Sequence, residues 1–189
     1  MELYGSYTSP FARHCRIALL ESTFTFTFVE TDAAGSAKLS PTQKVPFLKY
    51  QEKGVEEMLT DSSAILKIIR EEGGLTFFKN VQEFNTYCTA NTLLDTAINL
   101  FYLEKEGLTP AKSVYLARQQ SRMESGLTEL NKLTFSKAAP FNDAEIRIAC
   151  FLDWALFRQR LTLDAYPNLN IFLENIRKYS HFAATAPKG

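Results

Sequence analysis

An α/β domain followed by an all-α domain is the fold class that this chain of 189 residues predicts, and three observations carry it. Strand-like and helix-like blocks alternate every ten or so positions over the first 75 residues. From about residue 80 onward only helical spacing is left. The chain is also 46% hydrophobic and 22% charged, which is ordinary globular usage on a length ample for a real core. The boundaries these patterns suggest are 1–75 for the mixed domain and 81–189 for the helical one.

The elements follow in order. Leu3-Tyr4 reads as a short strand closed by Gly5-Ser6. Ser9-Pro10 reads as helix cap and first helical residue, because serine accepts from an orphan amide and proline lacks one. Phe11, Cys15, Ala18 and Leu19 then mark one buried helix face. Phe24-Thr25-Phe26-Thr27-Phe28 alternates with period two, which predicts a strand parallel to the first. Residues 31–44 are small and polar, a loop with at most a short helix. Val45–Tyr50 and Val55–Leu59 flank the turn signal Glu52-Lys53-Gly54 and predict a hairpin. Asp61-Ser62-Ser63 caps a helix with Ile65, Leu66, Ile68 and Ile69 inward, stopped by Gly73-Gly74.

In the helical half, Asn80-Val81-Gln82-Glu83 opens a long helix, with Phe84, Cys88, Leu94, Ile98 and Phe101 expected inward. Thr109-Pro110 starts another carrying Val114, Met123, Leu127 and Leu130. The clearest cap is at Asn142, where Glu145 can return the bond and Phe141 with Ile146 can form a hydrophobic staple. A last helix begins near Pro167 and runs to about Tyr179. Trp154 and the phenylalanine-rich stripe read as core or pocket wall.

Charge and composition exclude several function classes. Twenty-one basic and 21 acidic residues give zero net charge, so nothing draws the chain toward nucleic acid or an anionic membrane. Cys15, Cys88 and Cys150 are widely scattered, and His14 and His181 are the only histidines. No metal-ligand spacing exists, so no metal is expected, and the thiols are expected to be buried in a reducing compartment. No signal-peptide pattern and no membrane-length apolar run is present, which points to the cytoplasm.

Five short strings, in order, carry a resemblance. They are Ser9-Pro10-Phe11 with Arg16-Ile17-Ala18-Leu19; Lys44-Val45-Pro46-Phe47-Leu48; Asp61-Ser62-Ser63-Ala64-Ile65; Asn142-Asp143-Ala144-Glu145; and Tyr166-Pro167-Asn168-Leu169 with the tail from Ser180. Together with the order of elements they resemble the cytosolic glutathione S-transferase family, in its bacterial, serine-type form. That resemblance implies a thioredoxin-like N-terminal domain, a C-terminal helical bundle, glutathione as co-substrate and a homodimer.

It also implies roles for residues. The Ser9 hydroxyl would donate to the glutathione sulfur. A free thiol has a pKa of about 8.5 and its thiolate is the nucleophile; lowering that by roughly two units takes about 2.7 kcal/mol. A charge-assisted hydrogen bond and the positive start of the helix at Pro10 are the sources available. Read from spacing alone, Ser9 is simply a cap. Tyr7 is the competing hydroxyl, ranked second because it lies beyond the end of the first strand. Val45 would pair through its backbone with the cysteinyl unit, ahead of a cis peptide at Pro46. Lys44 is matched to a glycyl-carboxylate contact, though a solvated lysine reads as well. Asp61 and Ser62 would receive the γ-glutamyl ammonium and carboxylate, and Phe11 packs at the helix start with at most a pocket-edge contact. Arg13, His14 and Arg16 are left to solvent, a domain interface or a partner subunit.

The activity so implied is conjugation of glutathione to a small hydrophobic electrophile, in detoxification. A glutathione-dependent isomerase or peroxidase uses the same thiolate, but zeta-type isomerases carry a Ser-Ser-Cys run where Thr8-Ser9-Pro10 stands. A non-catalytic scaffold of the same fold is the third reading.

Overall fold

The computed structural model describes residues 1–188, which form two compact units. The first comprises Met1–Phe77 joined by the residues from Ser180 on, and the second is Phe78–Tyr179.

The first unit is built on a four-stranded sheet in the order β2-β1-β3-β4. Its strands are β1 (Glu2–Gly5), β2 (Thr27–Glu30), β3 (Phe47–Glu52) and β4 (Val55–Leu59). Its helices are α1 (Pro10–Glu21), α2 (Ala33–Leu39) and α3 (Ser62–Glu72). β1 and β2 are parallel across the α1 crossover, as expected, while β1–β3 and β3–β4 are antiparallel. The hairpin turns at Lys53-Gly54, both at positive φ (51° and 83°), which brings β3 and β4 back together without a longer loop. α1 and α3 pack on each other and on the sheet. Leu3, Ile17, Phe47, Leu48, Ile65 and Leu66 are fully buried between them. Gly5 permits the close approach of α1: a Cβ there would come within 2.7 Å of Ala12 Cβ.

Several expectations shift. Of the alternation at residues 24–28 only Thr27 and Phe28 join the sheet, set by the register Glu2↔Thr27. The short helix allowed within 31–44 is α2, capped by Asp32, whose Oδ1 accepts from Gly35 N–H at 2.7 Å. Cys15, Ala18 and Leu19 are buried as expected, but Phe11 is half-buried and Ala12 takes its place in the core.

The second unit is helical: α4 (Val81–Lys105), a 3₁₀ turn at Pro110–Lys112, α5 (Val114–Leu130), α6 (Asp143–Phe157) and α7 (Pro167–Ile176). α8 (Ser180–Ala184) belongs to the first unit. α6 carries the full capping box, with Asn142 Oδ1 accepting from Glu145 N–H (2.9 Å) and Glu145 Oε2 accepting from Asn142 N–H (3.0 Å). α4 packs on both α5 and α6. Its buried face is Tyr87, Ala90, Leu93, Leu94, Ala97 and Leu100. The expected inward residues Phe84 and Cys88 are exposed, because the two alanines let the neighbouring helices approach on the other side. Val114 is also exposed, at 91%, since Thr109-Pro110 makes only the 3₁₀ turn and Ser113 caps the true helix. Among the described residues no helix is long and apolar enough to cross a membrane.

Candidate functional site

Strand register decides which loops meet. Tyr4 faces Phe47 across β1–β3, and Leu48 faces Leu59 across β3–β4. The residues after β1, before β3 and after β4 therefore share one end of the sheet. Those residues are Ser9, Lys44-Val45-Pro46 and Asp61-Ser62. α1 and α3 both begin at this end, and Cys15 Sγ donates to the Ser62 carbonyl (3.8 Å), tying the two helices together.

Ser9 is the cap of α1, in an extended conformation (φ −77°, ψ 121°). Its Oγ accepts from Ala12 N–H at 3.2 Å, and its carbonyl accepts from Arg13 N–H at 2.9 Å. The hydroxyl proton has no acceptor among the described residues, so it can be donated to an anion. Asp61 caps α3 through one oxygen, Oδ1, which accepts from Ser63 N–H (2.7 Å) and Ala64 N–H (3.3 Å). Its other oxygen makes no hydrogen bond among the described residues and is open to a cation. Ser62 is buried. The Val45–Pro46 peptide is cis, Pro46 is buried, and the Val45 backbone N–H and C=O take part in no hydrogen bond among the described residues. Lys44 is exposed and makes no ion pair among the described residues, and Phe11 is half-buried at the second position of α1.

Chemically, this end of the sheet offers a hydroxyl donor and two helix N-termini for anions. It also offers a carboxylate oxygen for an ammonium, and unpaired backbone groups that could take an extended chain as an added strand. Tyr7 lies in the same β1–α1 loop as Ser9, with its ring packed against Phe28. That ring lies 4.9 Å from the Phe28 ring, and the Arg16 guanidinium stands 4.8 Å from each. Burial lowers the Arg16 pKa, with Tyr7 opposing the shift and Arg13 adding to it.

Three features escape sequence reasoning. Arg13, expected at a surface or interface, is buried; it donates to the Phe182 carbonyl (2.9 Å) and Thr185 Oγ1 (3.4 Å) and stacks 3.7 Å over the Phe182 ring. His14 is fully buried too. A cavity of about 430 Å³ opens beside the β1–α1 turn, lined by Ser6, Glu30, Thr31, Asp32 and Gly35. Only the chain's return after 170 residues, or the sheet register, reveals these. In the helical unit a cavity of about 290 Å³ lies between the starts of α4 and α6 and includes Glu83 and Glu145. Burial raises the Glu83 carboxyl pKa above its ordinary value; the Lys79 amide and charge oppose this, and Asp143 and Glu145 add to it. No group of three or more histidine, cysteine or acidic side chains that could hold a metal occurs among the described residues.

Comparison with known proteins now bears on this geometry. Residues 3–75 match the family described as glutathione S-transferase, N-terminal domain. The chain is 27% identical to the uncharacterized GST-like protein YibF of Escherichia coli K12, over 99% of this chain and 98% of that protein. A glutathione S-transferase from Methylobacillus flagellatus, solved with glutathione bound, is 25% identical with a TM-score of 0.83, covering 99% of both chains. One from Methylobacterium radiotolerans, in complex with glutathione sulfonate, is 20% identical with a TM-score of 0.84, covering 100% of this chain and 95% of that one. The architecture is thus a thioredoxin-like βαβαββα domain followed by a helical domain. Residues 3–75 thus form a glutathione S-transferase N-terminal domain, and the chain as a whole is similar in length to the GST-like protein YibF and shares the fold of these bacterial enzymes.

Proposed function

We propose that this protein is a glutathione transferase, with residues 1–75 as the glutathione-binding domain and 81–189 as the all-helical domain that holds a small hydrophobic electrophile. The observation that carries this reading is the Ser9 hydroxyl. It caps α1 as an acceptor and keeps its proton for a thiolate, beside the N-termini of two helices. The glutathione-bound structure of the Methylobacillus flagellatus relative supports the choice of ligand.

In this reading the glutathione thiol loses its proton to solvent, and the Ser9 O–H donates to the resulting thiolate. The sulfur lone pair then forms the carbon–sulfur bond. With an aryl halide, the carbon–halogen bond breaks and halide leaves with its electron pair. Val45 pairs with the cysteinyl backbone, next to Pro46. Asp61 takes the γ-glutamyl ammonium, and Ser62 with the amides at the start of α3 takes its carboxylate. Lys44 reaches the glycyl carboxylate, and Phe11 lies at the pocket edge. The protein works as a homodimer in the cytoplasm.

Calorimetric titration of glutathione tests this. Asp61→Asn is the informative variant, since asparagine caps as well as aspartate but carries no charge. Wild type should bind, and Asp61→Asn should bind about fivefold to tenfold more weakly at nearly unchanged stability, as expected for one charge-assisted hydrogen bond partly open to water. No heat of binding with wild type would reject the reading.

A further inference from the structure

At the C-terminal ends of α4 and α6, within the helical unit, two cations share one aromatic ring. Lys105 Nζ lies 4.4 Å from the Phe101 ring centre, and the Arg158 guanidinium 5.5 Å from the same ring. Tyr102 and Phe157 extend the aromatic surface, each stacked with one of the cations at 5.9 and 4.9 Å. Trp154 meets Phe101 edge to face at 5.8 Å. Like charges drawn to one ring repel unless something neutralises them. Among the described residues no carboxylate lies within ion-pair distance of either cation; the adjacent Glu104 is taken by Arg160. Arg158 Nε is moreover buried without a hydrogen-bond partner.

Helix-end compensation does not account for the pair. Two helix C-termini present about one negative elementary charge between them, against two full positive charges. Among the described residues neither cation donates to a helix carbonyl, and the carbonyl of Gly107, just past α4, is served by Lys112 Nζ at 2.9 Å. One positive charge is left over, on a surface of partly exposed rings. Tyr102 is 60% and Phe157 38% exposed, so that surface is open to a ligand.

We propose that this cluster binds a small aromatic carboxylate, its ring stacked on Phe101 and Tyr102 and its anion between Lys105 and Arg158. Binding here does not rest on glutathione chemistry; whether the ligand is also an acceptor does.

Trp154 is the only tryptophan, so its fluorescence reports on the cluster directly. The experiment compares quenching by 3,5-dinitrobenzoate with quenching by neutral 1,3-dinitrobenzene. Wild type should bind the carboxylate about tenfold more tightly. Arg158→Gln and Lys105→Gln should each weaken carboxylate binding about fivefold and change the neutral compound less than twofold. Lys105 is exposed, so its variant keeps the test valid if Arg158→Gln fails to fold. Equal affinity for the two compounds in wild type, or equal losses for both in the variants, would overturn the proposal. A second arm measures glutathione conjugation of 4-chloro-3,5-dinitrobenzoate against 1-chloro-2,4-dinitrobenzene. A lower KM for the carboxylate that rises in the variants makes the ligand an acceptor. Quenching without that preference makes it a non-substrate ligand, with the binding proposal standing.

Discussion

Ser9→Gly separates two things that one hydroxyl does. As a cap, Ser9 accepts from Ala12 N–H at 3.2 Å; glycine replaces a serine cap at a cost of a few tenths of a kcal/mol, whereas alanine costs about 1 kcal/mol. As a donor to a thiolate, the hydroxyl should contribute about 1.5–3 kcal/mol, typical of hydrogen bonds to charged groups. That is about one to two pKa units on the bound thiol. Removing it therefore raises the thiol pKa back toward its free value of about 8.5. The rate loss is smaller than the pKa change, because a more basic thiolate is also more nucleophilic, with a Brønsted slope of about 0.4–0.5. At a pH of about 6, below both pKa values, conjugation should fall about 3- to 15-fold. Above a pH of about 9, where both thiols are ionised, the variant should match or exceed wild type on the same slope. The assay is kcat/KM against pH for a generic aryl halide, with thiolate absorbance of the bound tripeptide read in parallel. Ser9→Ala should show the same kinetic profile and, in addition, a melting point about 2–4 °C lower. Profiles of wild type and Ser9→Gly that superimpose at low pH would refute the assignment and return the role to another donor.

Two further outcomes concern the helical unit. Gly126→Ala should lower the melting point despite a helix-propensity gain of about 1 kcal/mol. The new Cβ would sit 2.5 Å from Leu93 Cδ2 and 3.0 Å from its Cγ, so a rotation of the leucine tip does not clear it. Overpacking of about 1–3 kcal/mol then wins, and a melting point above wild type would contradict this packing. Glu83→Gln tests the raised carboxyl. A raised pKa means the folded state holds the proton more tightly than the unfolded chain. The contribution to stability is therefore complete at low pH and lost as pH rises through the elevated value. Glutamine cannot ionise, so the variant should gain on wild type as pH rises above about 4.5; a gap independent of pH in thermal melts would show the carboxyl is not strained.

Local chemistry was the legible part of this molecule. The caps at Ser9, Asp61, Asn80 and Asn142 each accept the amide that spacing assigns to them. They are readable because a cap involves residues three apart. The sharing of one sheet end by Ser9, Val45 and Asp61 followed from element order and the resemblance, since antiparallel register does the rest. What failed to read was any choice among apolar faces. α4 has Phe84, Cys88 and Ile98 on one side and Tyr87, Ala90 and Ala97 on another, and hydrophobicity favours the bulkier set. The neighbouring helices choose the smaller one, which lets Arg147 reach from α6 to the Tyr87 hydroxyl at 2.7 Å. At α1, Arg13 and His14 looked like surface residues because charge was the only cue. Their burial depends on a segment far away in the chain. Gln43 is a smaller surprise: it takes φ 52° just before Lys44, a left-handed conformation that residues other than glycine seldom adopt.

The docking of α8 onto α1 has a consequence for how the polypeptide is made. Arg13 and the carbonyl it holds are 169 positions apart. At ribosomal speeds of about 5–20 residues per second, Arg13 waits roughly ten to thirty seconds for Phe182 to be translated. The middle of the chain, with its own core, is translated whole before the first module has its last piece. The amino-terminal module therefore completes its packing only after the whole helical unit has been translated.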